Sequence, residues 1–139
     1  MPVEYTILTS PQLNYIRYHG HVVLDEIMTA LQQFALEPAF ANGQPHYFDL
    51  SQVTSYKIDY PQFFRVMAKI VDVYPRSAGE QMMAFHAPPG PPAELAAIVR
   101  KPWIVSDTIL IRVCDTKEQV FDILGGARDD LLAHIKALA

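Results

Sequence analysis

The sequence predicts an α/β domain on a mostly parallel sheet of about five strands, with an N-terminal antiparallel hairpin and covering helices. Three observations predict it. Two β-rich runs stand close together near the N-terminus, the apolar period then changes from two to about 3.6, and strands alternate with helices from there on. With 139 residues, half of them hydrophobic and 19% charged, the chain is large enough for one core and too apolar for disorder.

Each element has a local reason. Val3 to Thr9 is rich in β-formers, Ser10-Pro11-Gln12 is a turn, and Leu13 to His19 alternates as a second strand that Gly20 ends. These two runs are close enough to pair as a hairpin. Leu24, Ile27, Met28, Leu31, Phe34 and Ala35 then follow helical spacing, with Asp25 and Glu26 in the first turn, where negative charge suits the helix dipole. Glu37-Pro38 stops that helix, and residues 41–45 are a loop.

His46 to Leu50 reads as a short central strand. Asp59 or Tyr60 caps a second helix, with Pro61 in its first turn and Phe63, Val66, Met67, Ile70, Val71 and Tyr74 along one face. Gln81 to Ala87 is the next strand, Pro92 starts a short helix through Val99, and Thr108 to Cys114 is the last strand. Thr116 begins a helix that Gly125-Gly126 breaks. Asp129-Asp130 opens a final one carrying the stripe Leu131, Leu132, Ile135 and Leu138. That stripe needs a cover, either the chain's own sheet or a second subunit, and a two-fold homodimer is the commonest outcome.

Composition excludes several functions. A net charge of −4 with no basic cluster argues against nucleic acid. Cys114 is the sole cysteine, which excludes an internal disulfide and suits a reducing compartment. Met1-Pro2-Val3-Glu4 does not read as a secretory signal, and no apolar run is long enough to span a bilayer. The expected address is the cytoplasm, with at most a peripheral membrane contact.

The order of these pieces resembles the STAS family, specifically its SpoIIAA-like branch, over roughly residues 3–124. The resemblance rests on Gly20 before the first helix, Glu37-Pro38-Ala39-Phe40 after it, and Tyr47-Phe48-Asp49-Leu50-Ser51-Gln52-Val53-Thr54 at the central strand. Lys117-Glu118-Gln119-Val120-Phe121-Asp122-Ile123-Leu124 completes it. It implies a STAS-like domain over 1–124 and a C-terminal helical extension over 125–139. It also implies a bacterial, non-enzymatic partner-binding role. In the antagonists of this family an Asp-Ser-Ser-Gly-type segment starts the second helix, and a phosphorylated serine there decides binding. The matching segment here is Ile58-Asp59-Tyr60-Pro61-Gln62, where both serines and the glycine are absent and Pro61 cannot take a phosphate. The resemblance therefore points to the branch without the phosphorylatable serine.

Several residues are candidates for binding. Asp49 ends a strand where open α/β sheets place ligands, or else caps the turn that follows. Ser51 and Ser55 have no histidine close in sequence to act as a base. Asp59 and Tyr60 occupy the switch position of the family. Trp103 stands beside the short helix with Met82, Met83, Phe85 and His86 upstream, and either lines a binding surface or closes the sheet edge. The histidines follow no metal-ligand spacing, although His46 and His86 lie in strands that could be neighbours. The expectation is a module with no catalytic residues, metal or cofactor, engaging a protein partner or itself. The alternative is a carrier of a small apolar ligand, by analogy with lipid-carrier domains and the many large apolar residues.

Overall fold

The computed structural model describes residues 3–9, 12–35, 45–71, 81–101, 109–124 and 129–138. Five strands form one mixed sheet in sequential order: β1 (Val3–Thr9), β2 (Gln12–Val23), β3 (His46–Lys57), β4 (Gln81–His86) and β5 (Ile109–Cys114). β1 and β2 pair antiparallel as the predicted hairpin, and the three remaining pairings are parallel. The described helices are α1 (Leu24–Ala35), α2 (Tyr60–Val71), α3 (Pro91–Val99), α4 (Lys117–Ile123) and α5 (Asp129–Leu138).

Strand side chains alternate between faces, so the sheet has two cores. Ile16, Tyr18, Phe48, Leu50, Met83 and Phe85 face α1, α2 and α3, which contribute Ile27, Phe63, Leu95 and Val99 among others. Phe48 and Phe85, register partners, stack at 4.6 Å. Leu13, Tyr15, Tyr47, Ala84 and Cys114 face the other way, against Val120 and Phe121 of α4 and Leu131 of α5. With both faces covered, the central strands lack the clean polar alternation of a half-exposed sheet. Leu131 is fully buried there and Leu132 and Ile135 pack partly buried against the same cluster, so these three residues of α5 cover the chain's own sheet.

Helix starts follow local chemistry. The Asp59 carboxylate accepts from the Gln62 backbone N–H at 3.0 Å, making Asp59 the cap of α2. Pro91 and Pro92 open α3 after Gly90, whose φ of +106° only glycine adopts readily. Thr116 and Gln119 form a reciprocal capping box at α4.

Two strands run further than their sequence suggests. β2 continues through Gly20 to Val23, and β3 continues past Leu50 to Lys57. Gly20 does not end β2. Its φ of +66° lies at one of two register irregularities, where β3 carries extra residues against β2. A bulge of this kind bends a strand without terminating pairing. Ser51–Lys57 is largely exposed, so no apolar alternation marks it as strand.

Candidate functional site

Register brings a polar row together on the face covered by α4 and α5. Glu4, Arg17, Asp49, His86 and Cys114 are successive partners across all five strands. Asp49–His86 is the last pairing between β3 and β4. The row therefore marks the carboxyl end of β4 and β5 in the four-stranded parallel part, the location where open α/β sheets bind ligands.

Asp49 is the centre of this row, 5% exposed. Its Oδ2 accepts a hydrogen bond from the Tyr15 hydroxyl at 2.6 Å. Its Oδ1 accepts from the Ser51 hydroxyl at 2.6 Å and the Ser51 backbone N–H at 3.1 Å. Both readings of Asp49 are thus present at once, a residue at the predicted ligand position and an acceptor that holds the chain beside it. Three donors face it, the set an ionised carboxylate requires. His86 Nδ1 lies 3.6 Å from Oδ1 and 3.3 Å from the Tyr47 hydroxyl.

The two tyrosines are fixed as neutral phenols. Burial pushes Tyr15 above the ordinary tyrosine range, and the Asp49 charge and hydrogen bond push it further. Burial does the same at Tyr47, helped by the carboxylates of Asp49 and Glu118. Their rings meet edge to face at 5.2 Å, and Phe121 of α4 closes on Tyr47 at 6.2 Å. Tyr15 therefore acts as a rigid donor to Asp49, and the Tyr47 hydroxyl is held within hydrogen-bond distance of His86.

Beside this cluster opens a cleft of about 390 Å³, walled by Tyr47, Asp49, His86, Asp115, Glu118 and Ile135. Most of these residues are polar or charged, which suits an ordered polar ligand better than an apolar one. Ser51 gives its hydroxyl hydrogen to Asp49 and not to a histidine.

Ser55 differs from the expectation. His21 Nδ1 lies 2.7 Å from its hydroxyl, because β2–β3 pairing sets His21 opposite Ser55. Sequence distance hid that partner; the pair is exposed. The other histidines disperse. His19 Nε2 pairs with Glu4 at 2.8 Å. His46 and His86 lie on adjacent strands but opposite faces, His46 opposite Met83 and stacked with Phe48, His86 opposite Asp49. Cys114 is a buried strand-end thiol, pushed up by burial and by Asp115.

Asp59 and Tyr60 stand apart from the cleft, at the start of α2. Tyr60 is 48% exposed and Phe64, one turn on, is 40% exposed. Tyr56 shares this corner: burial, then Glu94 and Tyr60, push its phenol up. Of the five residues proposed from sequence, Asp49 and Ser51 meet in the cleft, Asp59 and Tyr60 meet on α2, and Trp103 lies outside the described residues. Tyr15, Tyr47 and Phe64 were missed, and His86 was read beside Trp103 and His46 instead of with Asp49. The helical spacing of Tyr60 and Phe64 was a legible signal, whereas the other three needed the strand register.

No family model and no curated protein matches this sequence. Among solved structures, the chain is similar to the anti-sigma factor antagonist SpoIIAA in its unphosphorylated form. The TM-score is 0.47 at 10% identity, covering 88% of this chain and 99% of that one. Among the described residues no helix is long and apolar enough to cross a membrane.

Proposed function

We propose that the chain is a non-catalytic, cytoplasmic, STAS-like binding module that docks a protein partner on the start of α2 and works without a serine phospho-switch. The observation that carries this reading is the pair Tyr60 and Phe64, two aromatic side chains exposed by 48% and 40% on adjacent turns of one helix. Residues four apart share a helix face, so the two rings make one apolar contact area. Exposed aromatics of this kind dominate the energetics of protein interfaces.

Asp59 supports the absence of a switch. Its carboxylate already occupies the first-turn N–H of α2, the place where a phosphate on a serine would act. The carboxylate at this helix start belongs to the chain itself, and no serine stands between residues 58 and 62. The partner is therefore bound constitutively through α2.

A photo-crosslinking amino acid placed at Tyr60, in cells of the source organism, tests this. The expected result is an adduct with one defined protein, absent when the probe sits at exposed Gln33, and lost on Phe64→Ala. Against the purified adduct partner, Phe64→Ala should weaken binding by at least about tenfold, the usual loss for an interface aromatic. A self-adduct of doubled mass identifies the partner as a second copy. Equal, diffuse labelling from positions 60 and 33 overturns the proposal.

A further inference from the structure

A buried carboxylate at the base of a cleft exerts its charge strongly into that cleft, because little solvent lies between. Asp49 is such a group. Neutral donors hold both of its oxygens, and among the described residues no lysine or arginine lies within ion-pair distance: its register partner Arg17 lies 3.6 Å from Glu4 instead, and His86 stands 3.6 Å from Asp49. The remaining wall adds the carboxylates of Asp115 and Glu118 against one ammonium, Lys117. The opening of the cleft is rigid as well, since Asp115 N–H donates to Gln119 Oε1 at 2.9 Å and Thr116 caps the same helix.

One further wall suits a particular cation. Ile135 contributes a partly buried aliphatic side chain. An organic cation with a short apolar stem matches it through burial of its methylenes. We infer that this cleft binds an ammonium or guanidinium group, with Asp49 as the buried anchoring carboxylate and Asp115 and Glu118 as the outer ones. The group belongs either to a free small amine or to a Lys or Arg side chain of a bound peptide. This site is separate from α2 and does not depend on the docking reading.

Three probes test it in amide NMR titrations of the whole chain: methylguanidinium, an alanine-flanked Arg pentapeptide, and the same peptide with neutral, isosteric citrulline. Saturable shifts at Ser51, Asp115 and Glu118 with the two cations, and none with citrulline, are expected. Asp49→Asn should weaken the cations by at least about tenfold, as for loss of a charged hydrogen bond. Exposed Glu118→Gln should weaken them several-fold and carries the test should Asp49→Asn fail to fold. A peptide much tighter than methylguanidinium assigns the cation to a partner's side chain, and comparable affinities assign it to a free amine. Absence of saturation with both cations, equal binding of citrulline, or indifference to Glu118→Gln overturns the inference.

Discussion

Replacing Asp49 with alanine removes the acceptor on which the buried part of the site is built. Tyr15, 1% exposed, then keeps a hydroxyl whose hydrogen bond to Asp49 is gone. A hydrogen bond to a charged group contributes about 1.5–3 kcal/mol. The Ser51 bonds add roughly 1 kcal/mol, because Ser51 is only half-buried and water replaces them. The expected loss is therefore about 2.5–4 kcal/mol, or on the order of 10 °C in Tm for a chain of this size. A double-mutant cycle isolates the Tyr15 part. Tyr15→Phe should cost about 1.5–3 kcal/mol in the native background. It should cost clearly less after Asp49→Ala, since the bond to the carboxylate is already gone. Urea unfolding followed by far-UV circular dichroism measures all four corners. Equal costs of Tyr15→Phe in both backgrounds would refute the reasoning and reduce the pair to mere proximity.

Two other predictions follow from side chains buried in the two cores. Tyr15, Tyr18 and Tyr47 are all pushed above the ordinary phenol range by burial. At alkaline pH the folded chain holds protons that the unfolded chain has lost. The stability they contribute is thus complete below about pH 10 and falls above it, by up to about 4 kcal/mol per pH unit for three groups. Urea midpoints across this range should drop steeply, with tyrosinate absorbance appearing together with unfolding; tyrosinate forming in a still-folded chain contradicts the burial argument. Leu131→Ala should cost about 2–5 kcal/mol, because this side chain is fully buried against Leu13, Tyr15 and Tyr47. A loss under 1 kcal/mol would show that α5 is not part of the core.

Much of the architecture was legible because its causes are local. Asp59 capping α2, Pro91-Pro92 opening α3, and Thr116 with Gln119 at α4 are choices made within four residues. β3 beyond Leu50 was not legible, because Ser51–Lys57 is mostly exposed strand held by pairing to β2 alone. Gly20 read as a stop because a strand glycine with positive φ looks the same in sequence whether it ends a strand or bulges it. In the candidate site, Asp49 was visible from its place at the end of an apolar run. Its partners Tyr15 and His86, 34 and 37 positions away, looked like ordinary strand residues.

The sequence by itself determined the class of fold, the order of elements, the helix starts and the absence of a serine between residues 58 and 62. These depend on composition, period and neighbours within one turn. Only the tertiary structure decided which residues work together. Parallel register put His86 opposite Asp49, the shared face turned Tyr15 and Tyr47 onto the same carboxylate, and α4 and α5 closed over that face to leave a cleft. The physical reason is that register is set by burying two sheet faces at once. A shift of one residue would send Asp49 into the opposite core, away from Tyr15 and Ser51 and among largely apolar side chains.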